Sequence, residues 1–101
     1  MIVVRDIFRL RFGQAKDATA LWKQASGILK EAGLGARGVR LLTDLAGQPY
    51  YTIVFETTYD SLAQWEQAHN AAKSNAQWRD VYQRIIPLTE HGRREILSVI
   101  E

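Results

Sequence analysis

The chain has 101 residues, of which 47% are hydrophobic and 24% are charged, and its 13 Lys and Arg exceed its 11 Asp and Glu by two. Apolar residues recur periodically along the chain, which excludes disorder, and so small a charge excess gives no indication of a nucleic-acid partner. The absence of cysteine excludes disulfides and thiolate metal sites, and with only two histidines we expect no metal site.

The first predicted element is a strand from Ile2 to Phe12, ended by Gly13. One set of alternate positions is apolar except for Asp6, and the other set mixes apolar residues with Arg5 and Arg9. Apolar residues on both sides indicate one fully covered face and one partly covered face. The pattern does not decide which of them meets the helices.

The clearest helix is predicted from Gln14 to Ala32, where apolar residues recur at spacings of three and four. Gly33 and Gly35 follow it and can adopt the conformations that stop a helix. The next two segments, 37–45 and 50–58, are rich in β-branched and aromatic residues and flank the short linker 46–49. They predict a β-hairpin.

A second helix is predicted after Asp60 and Ser61, which are suitable N-cap residues. Its apolar stripe contains Leu62, Trp65, Ala68, His69 and Ala72. Ser74 and Asn75 interrupt the pattern, a further helical segment starts near Ala76, and Pro87 ends it. Residues 94–100 read as a last strand.

The order of elements is therefore strand, helix, strand, strand, broken helix, strand, which is the ferredoxin-like βαββαβ order of the α+β class. Residues 1–101 are expected to form one domain with a four-stranded antiparallel sheet and its helices on one face. The other face would then expose large apolar residues. Two such sheets are predicted to pair as a homodimer, a dimeric α/β barrel.

Three segments carry a resemblance to a known family: Phe8-Arg9-Leu10-Arg11-Phe12-Gly13, Tyr59-Asp60-Ser61-Leu62, and Asn75-Ala76-Gln77-Trp78 followed by Pro87-Leu88. They resemble the NIPSNAP-type members of the dimeric α/β-barrel superfamily, which also contains the antibiotic-biosynthesis monooxygenases. Phe12 departs from the proline of the family's opening motif. The resemblance implies a ferredoxin-like protomer that pairs through its sheet, and it implies little about a reaction.

Trp65 and His69 are four residues apart on one predicted helical face, so an indole and an imidazole can line the same wall of a pocket. They are interpreted either as ligand-contacting groups or as core packing. Haem-degrading members of the superfamily place an Asn on the first strand and a His after the second-helix Trp. Because Asp6 and Asn75 stand at those places here, haem degradation is not expected and no cofactor is predicted.

Asp6 is a carboxylate on the more apolar side of the first strand, so burial must either pair it or raise its pKa. Arg5, Arg9 and Arg40 are the predicted partners, and Glu56 and Glu95 are expected to pair with other arginines. A structural ion-pair network is the first interpretation. An arginine cluster that binds a carboxylated ligand is the second.

We therefore predict a cytoplasmic homodimer that binds a small, partly apolar molecule between sheet and helices, with Asp6, Arg5, Arg9, Trp65 and His69 as candidate ligand-binding residues. No apolar run approaches the roughly 18 residues of a membrane span, so no membrane partner is expected. One alternative is a cofactor-independent monooxygenase or isomerase. Another is a purely structural dimer whose interior is filled by side chains.

Overall fold

The structure, a computed structural model, describes residues 1–34, 37–47 and 50–101. Within these residues the elements follow the predicted order: β1 (Ile2–Leu10), α1 (Ala15–Glu31), β2 (Gly38–Thr43), β3 (Thr52–Tyr59), α2 (Leu62–Lys73), α3 (Ala76–Ile85), a 3-10 turn (Ile86–Leu88) and β4 (Thr89–Ser98). The predicted ferredoxin-like layout is confirmed. Gly35, Gln48 and Pro49, which belonged to the predicted turns, lie outside the described residues.

The four strands form one antiparallel sheet in the order β2-β3-β1-β4, so β1 and β3 are central and β2 and β4 are its edges. Asp6 of β1 lies opposite Phe55 of β3 and opposite Arg94 of β4. This register places the three side chains on one face of the sheet, because directly paired residues point to the same side.

The even-numbered residues of β1 face the helices, which answers the question that the sequence left open. Val4 and Leu10 are buried, and Leu10 belongs to the same core cluster as residues of all three helices. Arg5, Ile7 and Arg9 therefore point to the opposite side, called here the outer face.

Trp22 of α1 lies at the centre of the core and is 1% exposed. Its indole stacks on Phe8 with the ring centroids 5.1 Å apart, and it contacts Phe55 at the same distance. The other buried members of this core are Leu10, Ala18, Ala25, Leu29, Ile53, Phe55, Ala72, Val81 and Ile85. One helix-facing core thus joins both central strands to the three helices.

Local hydrogen bonds explain where the helices begin and end. Ser61 and Asn75 cap α2 and α3, since their side chains accept from the backbone N–H three residues later. At the end of α1, Gly33 has a φ of +70°, and the N–H groups of Gly33 and Leu34 donate to carbonyls of the last turn. This Schellman motif confirms the predicted stop near residue 33.

All four strands differ from their predicted bounds by one or more residues, and the start of β4 differs most. β1 ends at Leu10, two residues early, and β4 begins at Thr89 instead of Arg94. The segment 89–93 has no apolar alternation, so it carries no strand signal. Backbone pairing with β1 makes it a strand nevertheless, with a register shift beside Leu10.

None of the helices in the described ranges is both long enough and apolar enough to span a bilayer.

Candidate functional site: an aromatic cavity between the sheet and α2

A cavity of about 410 Å³ lies between the helix-facing side of the sheet and the helices α2 and α3. Seven of the chain's ten aromatic residues line it, including all three tryptophans. These are Phe8, Trp22, Phe55, Tyr59, Trp65, Trp78 and Tyr82. The walls are therefore mostly flat and apolar, as in sites that bind small organic molecules.

The cavity exists because α2 does not pack closely onto the sheet. Ala72 is the one buried residue of α2, whereas α1 buries five residues. Ala68 and Ala72 are the small α2 residues that line the cavity. A methyl group at each position leaves the space open that a larger side chain would fill.

The indole N–H of Trp22 is a buried polar group inside this apolar wall. Its Nε1 atom has no hydrogen-bond partner among the described residues. Indole nitrogen can only donate a hydrogen bond, and an unpaired buried donor costs free energy. This atom has almost no accessible surface, so a molecule in the cavity does not reach it unless the ring or its neighbours move.

Asp6 and Arg94 form an ion pair on the cavity wall, with Arg94 Nε donating to Asp6 Oδ1 at 2.6 Å. The Asp6 side chain is 17% exposed and that of Arg94 is 40% exposed. The predicted pairing of Asp6 with Arg5, Arg9 or Arg40 is wrong, because those three arginines project from the outer face. Arg94 comes instead from the in-register position on β4.

Trp65 and His69 lie on the same wall, as their helical spacing predicted. Their rings are stacked with centroids 5.1 Å apart, and the Arg94 guanidinium lies 5.1 Å from the Trp65 ring centroid. Burial lowers the pKa of His69, and the positive charges of Arg94 and Lys73 lower it further. The imidazole is therefore neutral at pH 7 and can accept a proton.

Tyr59 closes one side of the cavity and is nearly fully buried. Its hydroxyl donates to the Leu34 carbonyl at 3.3 Å. Burial raises its pKa, and the nearby Asp6 charge acts in the same direction. Tyr59 is therefore a neutral phenol at neutral pH.

Arg5 and Arg9 do not belong to this cavity. Glu56, buried on the outer face, accepts a hydrogen bond from Arg40 and lies 3.5 Å from Arg5 Nε, while Arg9 lies 3.9 Å from Glu90. Glu95 pairs with Arg93, as expected, whereas the partners of Glu56 are two of the arginines that were predicted for Asp6. Of the five candidate residues, Asp6, Trp65 and His69 therefore line the cavity, and Arg5 and Arg9 lie on the outer face.

Two positively charged residues at the cavity were not predicted from the sequence. Lys73 and Arg79 both line it and are both exposed, which places them where the cavity opens to solvent. Lys73 is the last residue of α2 and Arg79 lies in the first turn of α3. The break after residue 73 was the available signal, because it brings the end of one helix next to the start of another.

A further residue that sequence analysis missed is Gly92, which lies opposite Phe8 in the β1 and β4 register. A Cβ at this position would lie 2.5 Å from Phe8 Cδ1. The glycine therefore makes room for the ring that stacks on Trp22.

The described residues include no group of three His, Asp or Glu that could hold a metal ion.

No family model and no curated protein matches the sequence, whereas solved structures match its fold over nearly the whole chain. A NIPSNAP family protein from Agrobacterium tumefaciens superposes with a TM-score of 0.85 at 21% identity, covering 99% of this chain and 93% of its own. The chain has the fold of NIPSNAP family proteins. The predicted resemblance is thus confirmed for the fold.

Two further structures share this fold. An uncharacterised NIPSNAP domain protein from Burkholderia xenovorans has a TM-score of 0.79 at 21% identity, covering 99% of this chain and 95% of its own. An antibiotic biosynthesis monooxygenase has a TM-score of 0.73 at 10% identity, with full coverage of both chains. The NIPSNAP fold of this chain is therefore shared by a protein with no assigned role and by one named as an enzyme.

Proposed function

We propose that this protein is a homodimer that binds a small, partly apolar molecule in the aromatic cavity of each protomer. The main support for this proposal is the cavity itself, which has a volume of about 410 Å³ and is lined by seven aromatic residues and a few convergent polar groups. Ligand sites of organic molecules have these properties, at volumes of about 300–1,000 Å³. A chain that needed its interior only for stability would fill this space.

Asp6, Trp65 and His69 are the proposed ligand contacts, since all three line the cavity. Trp65 offers a ring for stacking, and neutral His69 offers a hydrogen-bond acceptor or donor according to its tautomer. Arg5 and Arg9 are left out of the ligand site because they lie on the other side of the sheet.

The second protomer is proposed to pack on the outer face. Ile7, Leu42 and Val54 are neighbours there across three adjacent strands. Leu97 of β4 belongs to the same face and is 46% exposed. Val54 is already buried within one chain, and pairing of two such faces would bury Ile7, Leu42 and Leu97 together with the aliphatic parts of Arg5 and Arg9.

Native mass spectrometry of the freshly purified protein tests both parts of the proposal. We expect the mass of two chains plus a retained small molecule. Ala68→Phe should remove the adduct because the new ring enters the cavity. Ala63→Phe, on the exposed side of the same helix, should retain it. A monomer contradicts the pairing of sheets, and an adduct retained equally by both variants contradicts the cavity as its site.

An enzyme is the second candidate, as a cofactor-independent monooxygenase or isomerase. The favouring observation is His69, which is neutral at pH 7, lines the cavity and lies within electrostatic reach of Asp6. Such an imidazole can act as a general base. If it has this role, His69→Gln should lower turnover far more than it lowers ligand affinity, because glutamine keeps a hydrogen-bonding group at the contact but cannot act as a base. Equal turnover in the variant contradicts it.

The proposed cytoplasmic location is tested by fractionating cells that produce the tagged chain. Recovery with a cytoplasmic marker supports it, and recovery with the membrane fraction contradicts it.

A further inference from the structure

We infer that the cavity selects a flat aromatic anion, with the rings among the tryptophans and the negative group at the mouth beside Lys73 and Arg79. This inference rests on the proposed ligand-binding function of the same cavity. It adds the charge and the shape of the ligand, which that proposal leaves open.

The flat shape follows from how the aromatic walls are oriented. Trp22 and Phe55 lie at an interplanar angle of 31°, Phe55 and Trp78 at 45°, and Trp78 and Tyr82 at 21°. Trp22 and Tyr82, at the two ends of this series, are perpendicular at 90°, so the wall curves and presents both ring faces and ring edges. A planar ring system can stack on one face while it meets the edge of another ring, and a branched aliphatic molecule cannot make these contacts.

The inference that the ligand is negatively charged follows from the ionised groups that line the cavity. Arg94, Arg79 and Lys73 carry three positive charges, Asp6 carries one negative charge, and the difference is +2. Neutral His69 and neutral Tyr59 add nothing at pH 7. An anion entering this cavity meets a favourable field, whereas an aromatic cation meets repulsion.

Lys73 and Arg79 are the cations available to the ligand. Neither forms an ion pair with any residue in the described ranges, while Arg94 Nε is bound to Asp6. Both are exposed and line the cavity, so a carboxylate at the mouth can reach them without being fully desolvated. Arginine can bind a carboxylate through two parallel N–H groups.

The test compares three naphthalene probes of the same ring system: 2-naphthoate, 2-naphthalenemethanol and 2-naphthylmethylammonium. Isothermal titration calorimetry at neutral pH and low salt gives the affinity of each. We expect the acid to bind at least about tenfold more tightly than the alcohol, and the ammonium compound to bind more weakly than both. The three indole N–H signals in a ¹⁵N-correlated NMR spectrum should shift on binding, since all three tryptophans line the cavity.

Matched variants test whether Lys73 and Arg79 cause the preference for the acid. Lys73→Gln with Arg79→Gln should lower the affinity for the acid to that for the alcohol and leave the alcohol unchanged. Lys23→Gln with Lys30→Gln removes the same charge from the exposed side of α1, away from the cavity, and should keep the preference for the acid. Circular dichroism on each variant verifies that it is folded.

Equal affinity of the wild-type chain for the acid and the alcohol overturns the inference and leaves the aromatic cavity as a binding site for neutral molecules. Retained preference in the Lys73 and Arg79 double variant also overturns it. If no probe binds and no indole signal shifts, the inference and the proposed function of the cavity both fail. Tighter binding of the acid that depends on Lys73 and Arg79 supports the inference.

Discussion

Gly92→Ala is expected to damage the aromatic cavity from the strand beneath it. The added methyl carbon would lie 2.5 Å from Phe8 Cδ1 and 2.7 Å from Cε1, whereas ordinary van der Waals contact begins at 3.4 Å. The ring must therefore move by about 0.9 Å, the difference between 3.4 and 2.5 Å. It cannot do so freely, because its other side stacks on buried Trp22.

The free-energy change combines two opposing effects. Overpacking costs about 1–3 kcal/mol, and replacing a glycine within a strand returns about 0.5–1 kcal/mol of backbone entropy. We expect a net loss of about 1 kcal/mol, which lowers the Tm by roughly 4–8 °C in a domain of this size. The affinity for an aromatic ligand should fall as well, since Phe8 lines the cavity.

Thermal unfolding followed by circular dichroism measures the loss, and two variants serve as controls. Gly27→Ala lies at an open, exposed position of α1 and should stabilise the chain by about 1 kcal/mol. Phe8→Leu removes the ring that clashes, so Gly92→Ala should cost less in the Phe8→Leu background. A Gly92→Ala variant as stable as the parent, with an unshifted Trp22 indole signal, refutes the reasoning.

Three further outcomes are expected. Glu56→Gln should lower the free energy of unfolding in urea by about 1–2 kcal/mol and leave ligand affinity unchanged, because this buried carboxylate pairs with arginines on the outer face; a change in affinity contradicts the placement. The lowered pKa of His69 means that the unfolded chain binds more protons than the folded chain just below pH 6.5. Stability should therefore fall as the pH drops below about 6.5, and less so in His69→Gln; equal pH profiles contradict the shift. Asn75→Ala should cost about 1 kcal/mol in thermal unfolding through loss of the α3 cap on Trp78 N, whereas Asn75→Asp should retain stability; equal losses contradict the capping role.

The sequence predicts local features of this chain well because they depend on neighbouring residues. The caps at Ser61 and Asn75 and the stop at Gly33 follow from short-range hydrogen bonds and backbone preferences. Trp65 and His69 share a wall because residues four apart share a helical face. In each case the chemistry of a few consecutive residues is sufficient.

The partner of Asp6 could not be predicted in the same way. Asp6 and Arg94 are 88 positions apart, and their contact depends on the pairing register of β1 with β4. Alternation along β1 does show that Arg5 and Arg9 project from the side opposite to Asp6, so those two partners could have been excluded. Register and strand order together bring Arg94 to Asp6, and neither is encoded in a local pattern.

In β4, residues that give little indication of a strand in the sequence lie at positions that shape the aromatic cavity. Gly92 and Arg94 are alternate residues on its helix-facing side, and the polar segment that contains Gly92 gave no strand signal. Gly92 leaves room for Phe8 to stack on Trp22, and Arg94 neutralises Asp6 and covers Trp65. A larger or more apolar residue at either position would make β4 easier to recognise as a strand. It would also remove the space or the charge on which the cavity depends.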